Sequence, residues 1–359
     1  MVQPNIPPSS TKDSEARWAN DFTFSEQACL VDLVITTADW LERLMGRETV
    51  DAALKELWRS AYRVGHCGNE INQAEWDKIC SQPWRDTWVN DDTNNPTDEW
   101  FAGLPSGARL IRLNQFAFHG FFLAKAESEA DLQAKIEDDI AWLAAIVERI
   151  PTQWTNQHGE PLSVDDLRQT YLAAKGRLSI DIGRNIAIEE LAALAEMKLK
   201  TLRNAIYGKS ESGPKTEGDG MVTATAAIEW LTLRDNFRPS IWRESIGNSV
   251  AVFDGEEAGN AESETDATGE YVFIPVAQDG TEFRPSLRRA QGYQVGMKNN
   301  EQFIEDYFDA LDFLAHMKKP SWRRPNEERS GRWGIVKADR WIRLAKGLLV
   351  AEIANAKPF

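Results

Sequence analysis

The sequence predicts a mainly helical α+β protein made of more than one domain. Three observations lead there. A chain of 359 residues exceeds the needs of one core of ordinary size. Most patterned segments repeat their apolar residues at helical spacing. A strand–turn–strand pattern stands apart near the C-terminus, beyond a strongly acidic stretch. The divisions that follow are a leader over 1–20, an acidic helical domain over 21–180, a compact helical unit over 181–243, an acidic linker or loop over 244–270, and a small basic α/β module over 271–359.

The leader, rich in Pro and Ser, carries no apolar period and reads as disordered. Phe22 to Met45 reads as a helix whose core residues include Val31, Leu33, Val34, Trp40, Leu41, Leu44 and Met45. A second helix spans Thr49 to Val64 and is closed by Gly65 and Gly68. From Gln82 to Gly107, Trp84, Trp88, Trp100 and Pro96 suggest an irregular connection pinned by aromatics. Glu129 to Ile150 is the clearest helix. Ser128 is placed to cap it, Glu129 and Asp131 suit its positive start, and Pro151 stops it. Its stripe of Leu132, Ile136, Ile140, Leu143, Ile146, Val147 and Ile150 reads as a core face, with a dimerisation face as the alternative. A further helix spans Ser163 to Ala174.

Past the acidic run that begins at Asp254, Tyr271 to Val276 reads as a strand, Asp279-Gly280 as a turn and Thr281 to Arg284 as the returning strand. Helices are expected over Phe303–Met317 and from Val336 or Lys337 to Ile353.

Charge bounds the function. The net charge of −15 argues against a protein that coats nucleic acid over its whole surface. From Thr281 onward, however, about 15 Lys/Arg face about 10 Asp/Glu, so any nucleic-acid face is local. Cys29, Cys67 and Cys80 are odd in number and lack CxxC spacing, which indicates neither a disulfide framework nor a zinc ribbon. With neither a secretory signal nor a membrane-length apolar run, a cytoplasmic location is expected, with no membrane partner.

The segment from Ile186 to Ile206 carries the main functional signal. Leu191, Leu194 and Ala195 form the inner face of a first helix, with small Ala192 where a second helix must cross closely. After a break at 196–198, Leu202 and Ile206 form a second apolar stripe at i and i+4, leaving Lys198, Lys200, Thr201, Arg203 and Asn204 facing outward. A helix with a cationic, amide-bearing free face suits the major groove, where Arg pairs with guanine and Asn with adenine. Tyr207 to Gly220 then has hairpin length and carries Lys209 and Lys215, and Thr223 opens a third helix through Ala226, Ile228, Trp230 and Leu231.

This order resembles the winged helix-turn-helix of the excisionase and MerR-like families over residues 186–234. The matching residues are Glu190, Leu191 and Ala192, then Thr201, Leu202 and Arg203, then Ala227, Trp230 and Leu231. The resemblance implies sequence-directed binding of duplex DNA by a regulator or by the recognition subunit of an assembly. Lys198, Lys200, Thr201, Arg203 and Asn204 would then face bases or nearby phosphates, and Lys209 and Lys215 the backbone. It implies no cofactor. One departure is Glu196, at a turn position where such families often place Gly; it requires a left-handed non-Gly residue or a different turn.

The C-terminal module offers a second basic surface: Arg323, Arg324, Asn326, Arg332, Lys337 and Arg340, interleaved with Trp322, Trp333 and Trp341. These residues either grip a backbone and stack on bases, or anchor a small domain with the arginines neutralised by carboxylates. Rival readings for the whole chain are a protein-interaction adaptor, with a second copy or another protein meeting the acidic N-terminal part, and a DNA-acting nuclease. His66, Cys67 and Cys80 lack a fourth metal ligand at usable spacing, and His119 reads as a packing residue. Glycine-rich phosphate loops and nucleophile elbows are absent from the sequence, so no catalytic residue is assigned.

Overall fold

A computed structural model describes residues 22–65, 72–84, 105–150, 154–155, 164–208, 213–217, 220–246, 270–317, 319–326 and 332–355. It is a mixed α+β structure. The leader, nearly all of the acidic linker, and Lys209 lie outside the described residues.

The N-terminal helices are α1 (Phe22–Met45), α2 (Arg47–Gly65), α3 (Gln73–Cys80), α4 (Pro105–Asn114), α5 (Glu129–Arg149) and α6 (Asp165–Asp181). Two of them, α3 and most of α4, fall where the sequence suggested irregular chain or no element. The inner face of α1 also differs from expectation: Leu30, Ile35 and Ala38 are buried, whereas Trp40, Leu41, Leu44 and Met45 are exposed. Trp84 behaves as the expected aromatic pin. It is buried, its backbone N–H donates to Asp51 at 2.7 Å, and its indole N–H donates to Glu42 at 2.7 Å. Helix α5 matches its sequence signals closely. Ser128 accepts from the Asp131 N–H at 3.2 Å, and Leu132, Ile136, Ile140, Leu143 and Val147 are buried. Each such side chain contributes roughly 1.5–3 kcal/mol by leaving water.

A π-helical turn, Gln115–His119, follows α4 and is wholly buried. It ends at Gly120, where φ is +82° and an added Cβ would lie 2.5 Å from the Pro239 carbonyl oxygen, so only Gly fits.

Next come β1 (Ile186–Ala187), α7 (Ile188–Leu194), α8 (Leu199–Tyr207), β2 (Met221–Val222) and α9 (Ala224–Leu231). Here β1 pairs with β2, and Thr216 forms a bridge to the other side of Val222. Gly176 on α6 lets α7 approach: an added Cβ would sit 2.9 Å from Ile186 Cδ1 and 3.1 Å from Glu190 Cβ.

The C-terminal module is an antiparallel sheet in the order β3-β7-β6-β4-β5, from β3 (Tyr271–Ala277), β4 (Tyr293–Met297), β5 (Asn300–Ile304), β6 (Ser321–Pro325) and β7 (Trp333–Ala345). Helices α10 (Tyr307–His316) and α11 (Lys346–Asn355) accompany it. Three sequence expectations are corrected here. Phe303 and Ile304 belong to strand β5, and α10 starts only at Tyr307, where Asp306 caps the Phe308 and Asp309 N–H groups. Val336 to Ala345 is strand, not helix. Its buried residues, Ala338 and Trp341, share one face but stand three apart because a bulge lies between them, which breaks the period of two that would mark a strand. The turn at Asp279-Gly280 forms and Phe283 N–H donates to the Pro275 carbonyl at 3.0 Å, but the returning strand expected over Thr281–Arg284 is reduced to a single bridge, Val276 to Glu282.

Three apolar cores result. One joins α1 and α4–α6, one lies between the sheet and its helices, and one lies under α7, α8 and α9. No helix among the described residues is long and apolar enough to cross a membrane.

Candidate nucleic-acid interface

Two short helices meet across a tight turn in the segment 188–207. Helix α7 ends in a double closure: Glu196 N–H donates to the Ala193 carbonyl at 3.0 Å, and Met197 N–H to the Ala192 carbonyl at 2.9 Å. This pairing requires a left-handed residue between them. Glu196 supplies it, with φ +50°. Asn236 braces the turn by donating to the Ala195 carbonyl at 3.0 Å and to the Glu196 carboxylate at 3.3 Å. That carboxylate is therefore engaged with the segment after α9.

The two glutamates of α7 divide their tasks. Glu190 is buried; it accepts from the Ala187 N–H at 3.2 Å and from Lys175 at 2.9 Å, which caps α7 and ties it to α6. Glu189 is exposed and pairs with Arg203 of α8 at 2.6 Å.

Helix α8 is pinned by Leu202, which is fully buried with Leu191, Val222, Ala227 and Leu231. Around that anchor Lys198, Lys200, Thr201, Arg203 and Asn204 are exposed. The strip between α8 and β2 returns against α8 through Gly213 N–H to the Ala205 carbonyl, 3.1 Å, and carries exposed Lys215. Thr223 caps α9 by accepting from the Ala226 N–H at 3.2 Å. Trp230 is buried under the Arg234 guanidinium, 3.7 Å from its ring centre. The order is thus helix, turn, helix, short ladder, helix, with the cationic face of the second helix in solvent.

No protein-family model, curated protein or solved structure matches this chain. Function rests on geometry alone.

The C-terminal residues singled out in the sequence divide between arginines held by carboxylates and exposed cations. Arg323 is held by Glu301, at 3.0 and 2.5 Å, and donates to the Trp333 carbonyl at 3.3 Å. Arg324 pairs with Asp279, and Arg340 with its neighbour Asp339 at 3.6 Å. The Asn326 N–H donates to the Arg332 carbonyl at 2.8 Å, closing the β6–β7 hairpin. Arg332 and Lys337 are exposed, and no ion pair among the described residues includes either. Of the three tryptophans, Trp322 and Trp341 are core anchors, while Trp333 is only half-buried.

Sequence reasoning missed a buried junction where the cores meet. Arg177 of α6 donates to the Ala117 carbonyl (3.0 Å), the Arg238 carbonyl (3.0 Å) and the Ser240 hydroxyl (2.7 Å). Arg238 donates to the Phe118 carbonyl (3.2 Å) and the Ala338 carbonyl (3.3 Å). Burial pushes both guanidinium pKa values down to about 10. His119, packed on Phe121 and Trp341, is held well below its ordinary value by burial and then by the two guanidiniums. The sequence did not mark this junction, because Arg177 stands near Lys175 and Asp181 and Arg238 near Arg234, Asp235 and Asn236, where an arginine reads as solvent-facing.

No group of three or more His, Cys, Asp or Glu among the described residues is arranged to hold a metal ion.

Proposed function

We propose that this chain binds duplex DNA in a sequence-directed way, with α8 as the reading helix of a winged helix-turn-helix unit. The observation that carries this reading is the division of α8: Leu202 is fully buried, whereas Lys198, Lys200, Thr201, Arg203 and Asn204 are exposed. A short helix pressed on a neighbour by one leucine, with cations and an amide on its free face, fits a major groove of about 12 Å width. Lys215 on the strip after α8 would meet the backbone, as would Lys198 near the positive N-terminus of α8.

Selection of bound duplexes from a random pool, followed by anisotropy titration, tests the reading. Arg203→Ala is expected to cost about 1–3 kcal/mol on the selected site and to relax preference at one position. Equal affinity of wild type and variant for every duplex would sink base reading by α8.

The Arg203–Glu189 pair favours a second reading, in which this face docks a protein whose charges alternate in the same way. Under that reading no duplex is enriched by selection, and the face is instead mapped by cross-linking to a captured protein.

A further inference from the structure

The two faces of the C-terminal sheet differ in chemistry. Antiparallel partners share a face, and alternate residues switch faces. Pairings Val295–Trp322, Trp322–Val336 and Tyr293–Ile304 place these residues on the core side, with buried Tyr293, Val295 and Trp322. Pairings Gln294–Phe303, Arg323–Ile335, Pro325–Trp333 and Ser321–Lys337 define the opposite side. There Phe303 is 44 % exposed, Trp333 and Ile335 are half-buried, and Lys337 is exposed. Arg289 lies between the two aromatic rings, 5.7 Å from the centre of Phe303 and 4.9 Å from that of Trp333, and it hydrogen-bonds Gln294. Exposed Arg332 precedes Trp333 at the rim, and Glu301, a carboxylate on this face, is paired with Arg323. On the same side Ser321, Ile274 and Val276 are buried, so only β5, β4 and the outer parts of β6 and β7 are exposed.

We infer that this exposed part of the face binds single-stranded DNA. Unstacked bases lie against Phe303 and Trp333, and phosphates meet Arg289, Lys337 and Arg332. Three features favour this occupant. The rings are spread over a pleated surface, the guanidinium between them holds a positive charge beside both, and the other cations complement a phosphate backbone. A duplex hides its base faces within its own stack and does not use such rings. The choice of DNA over RNA rests on the duplex reading of α8; the stacking surface itself does not.

The test uses the full chain and fluorescein-labelled oligo-dT, oligo-rU and a duplex, titrated by anisotropy over a series of salt concentrations. Oligo-dT is expected to bind, with quenching of tryptophan fluorescence. Phe303→Ala/Trp333→Ala should weaken that binding by about tenfold or more. Lys337→Glu, at an exposed position that leaves the core intact, should weaken it too and flatten the salt dependence. Unchanged oligo-dT affinity in both variants would overturn the inference. So would tighter binding of oligo-rU, or a wild-type dimer that these substitutions dissociate in sedimentation velocity. Arg203→Ala addresses only the duplex, so failure of the single-strand result and failure of the α8 reading appear in different titrations.

Discussion

Glu196 adopts a backbone angle, φ +50°, that costs an L-residue about 1–2 kcal/mol. The closure of α7 demands it, and Asn236 and the charge of Arg238 compensate by holding the carboxylate. Glu196→Gly is therefore expected to change stability by less than about 1 kcal/mol, whereas Glu196→Val should lose about 1–2 kcal/mol in urea unfolding. The sequence marked this position as one that needs either a left-handed non-Gly residue or a different turn, and the left-handed residue is what forms. What the sequence did not reveal is where the carboxylate goes, because Asn236 is 40 residues away. Glu189 presents the opposite case: exposed beside Arg203, it opposes any polyanion. Glu189→Gln is expected to raise duplex affinity about two- to fivefold at low salt, the range of a surface ion pair, and the gain should vanish as salt is added. An unchanged or weaker affinity in anisotropy would count against the placement of this edge on DNA.

Helices α5 and α8 were legible because each shows one apolar stripe and a polar remainder. In α5 the cap at Ser128 and the buried stripe coincide with the pattern. In α8 a single fully buried leucine does the anchoring, and Leu202→Ala should cost about 2–5 kcal/mol and abolish the outward display of Lys200 and Arg203. Loss of duplex binding with an unchanged melting profile would contradict that role. Strand β7 was misread because its pattern is ambiguous. Ala338 and Trp341 are both buried on one face at a spacing of three because a bulge opposite Val276–Ala277 lies between them. Pairing with β3 and β6 decides the conformation, and those strands are distant in sequence. In the outer half Trp333, Ile335 and Lys337 share one side and Gly334 and Val336 the other, so apolar residues stand on both sides and no period of two is visible there either.

Across the whole molecule, Arg177 and Arg238 gather carbonyls from the π-helical turn, the segment after α9 and the sheet. Each buried acceptor left without its donor costs about 1–3 kcal/mol. Arg238→Met should thus destabilise the protein by several kcal/mol and loosen the sheet from the helices, seen as two unfolding transitions where the wild type has one. His119 sits in the same junction and reports on it. Because its folded pKa is depressed below 6.5, the unfolded chain binds the proton more readily. Stability is full above about pH 6.5 and falls as the pH drops toward the folded value, by up to about 1.4 kcal/mol per pH unit. Asp139, Asp181 and Asp312, raised by burial, act in the opposite direction, so the measurement is the difference between wild type and His119→Leu. The wild type should lose stability relative to the variant between pH 7 and pH 5.5; parallel curves would refute a buried neutral histidine.

Local chemistry was enough to place the helix caps, the stripe of α5, the turn at Asp279-Gly280 and the outward cations of α8, since each depends on residues within a few positions of one another. The order of the sheet, the identity of the buried tryptophans, the partners of Arg323 and Arg324, and the arginine junction all depend on groups that the chain brings together over about twenty to more than a hundred residues. Burial and pairing energies of that kind belong to the packed molecule, and no window of sequence contains both partners.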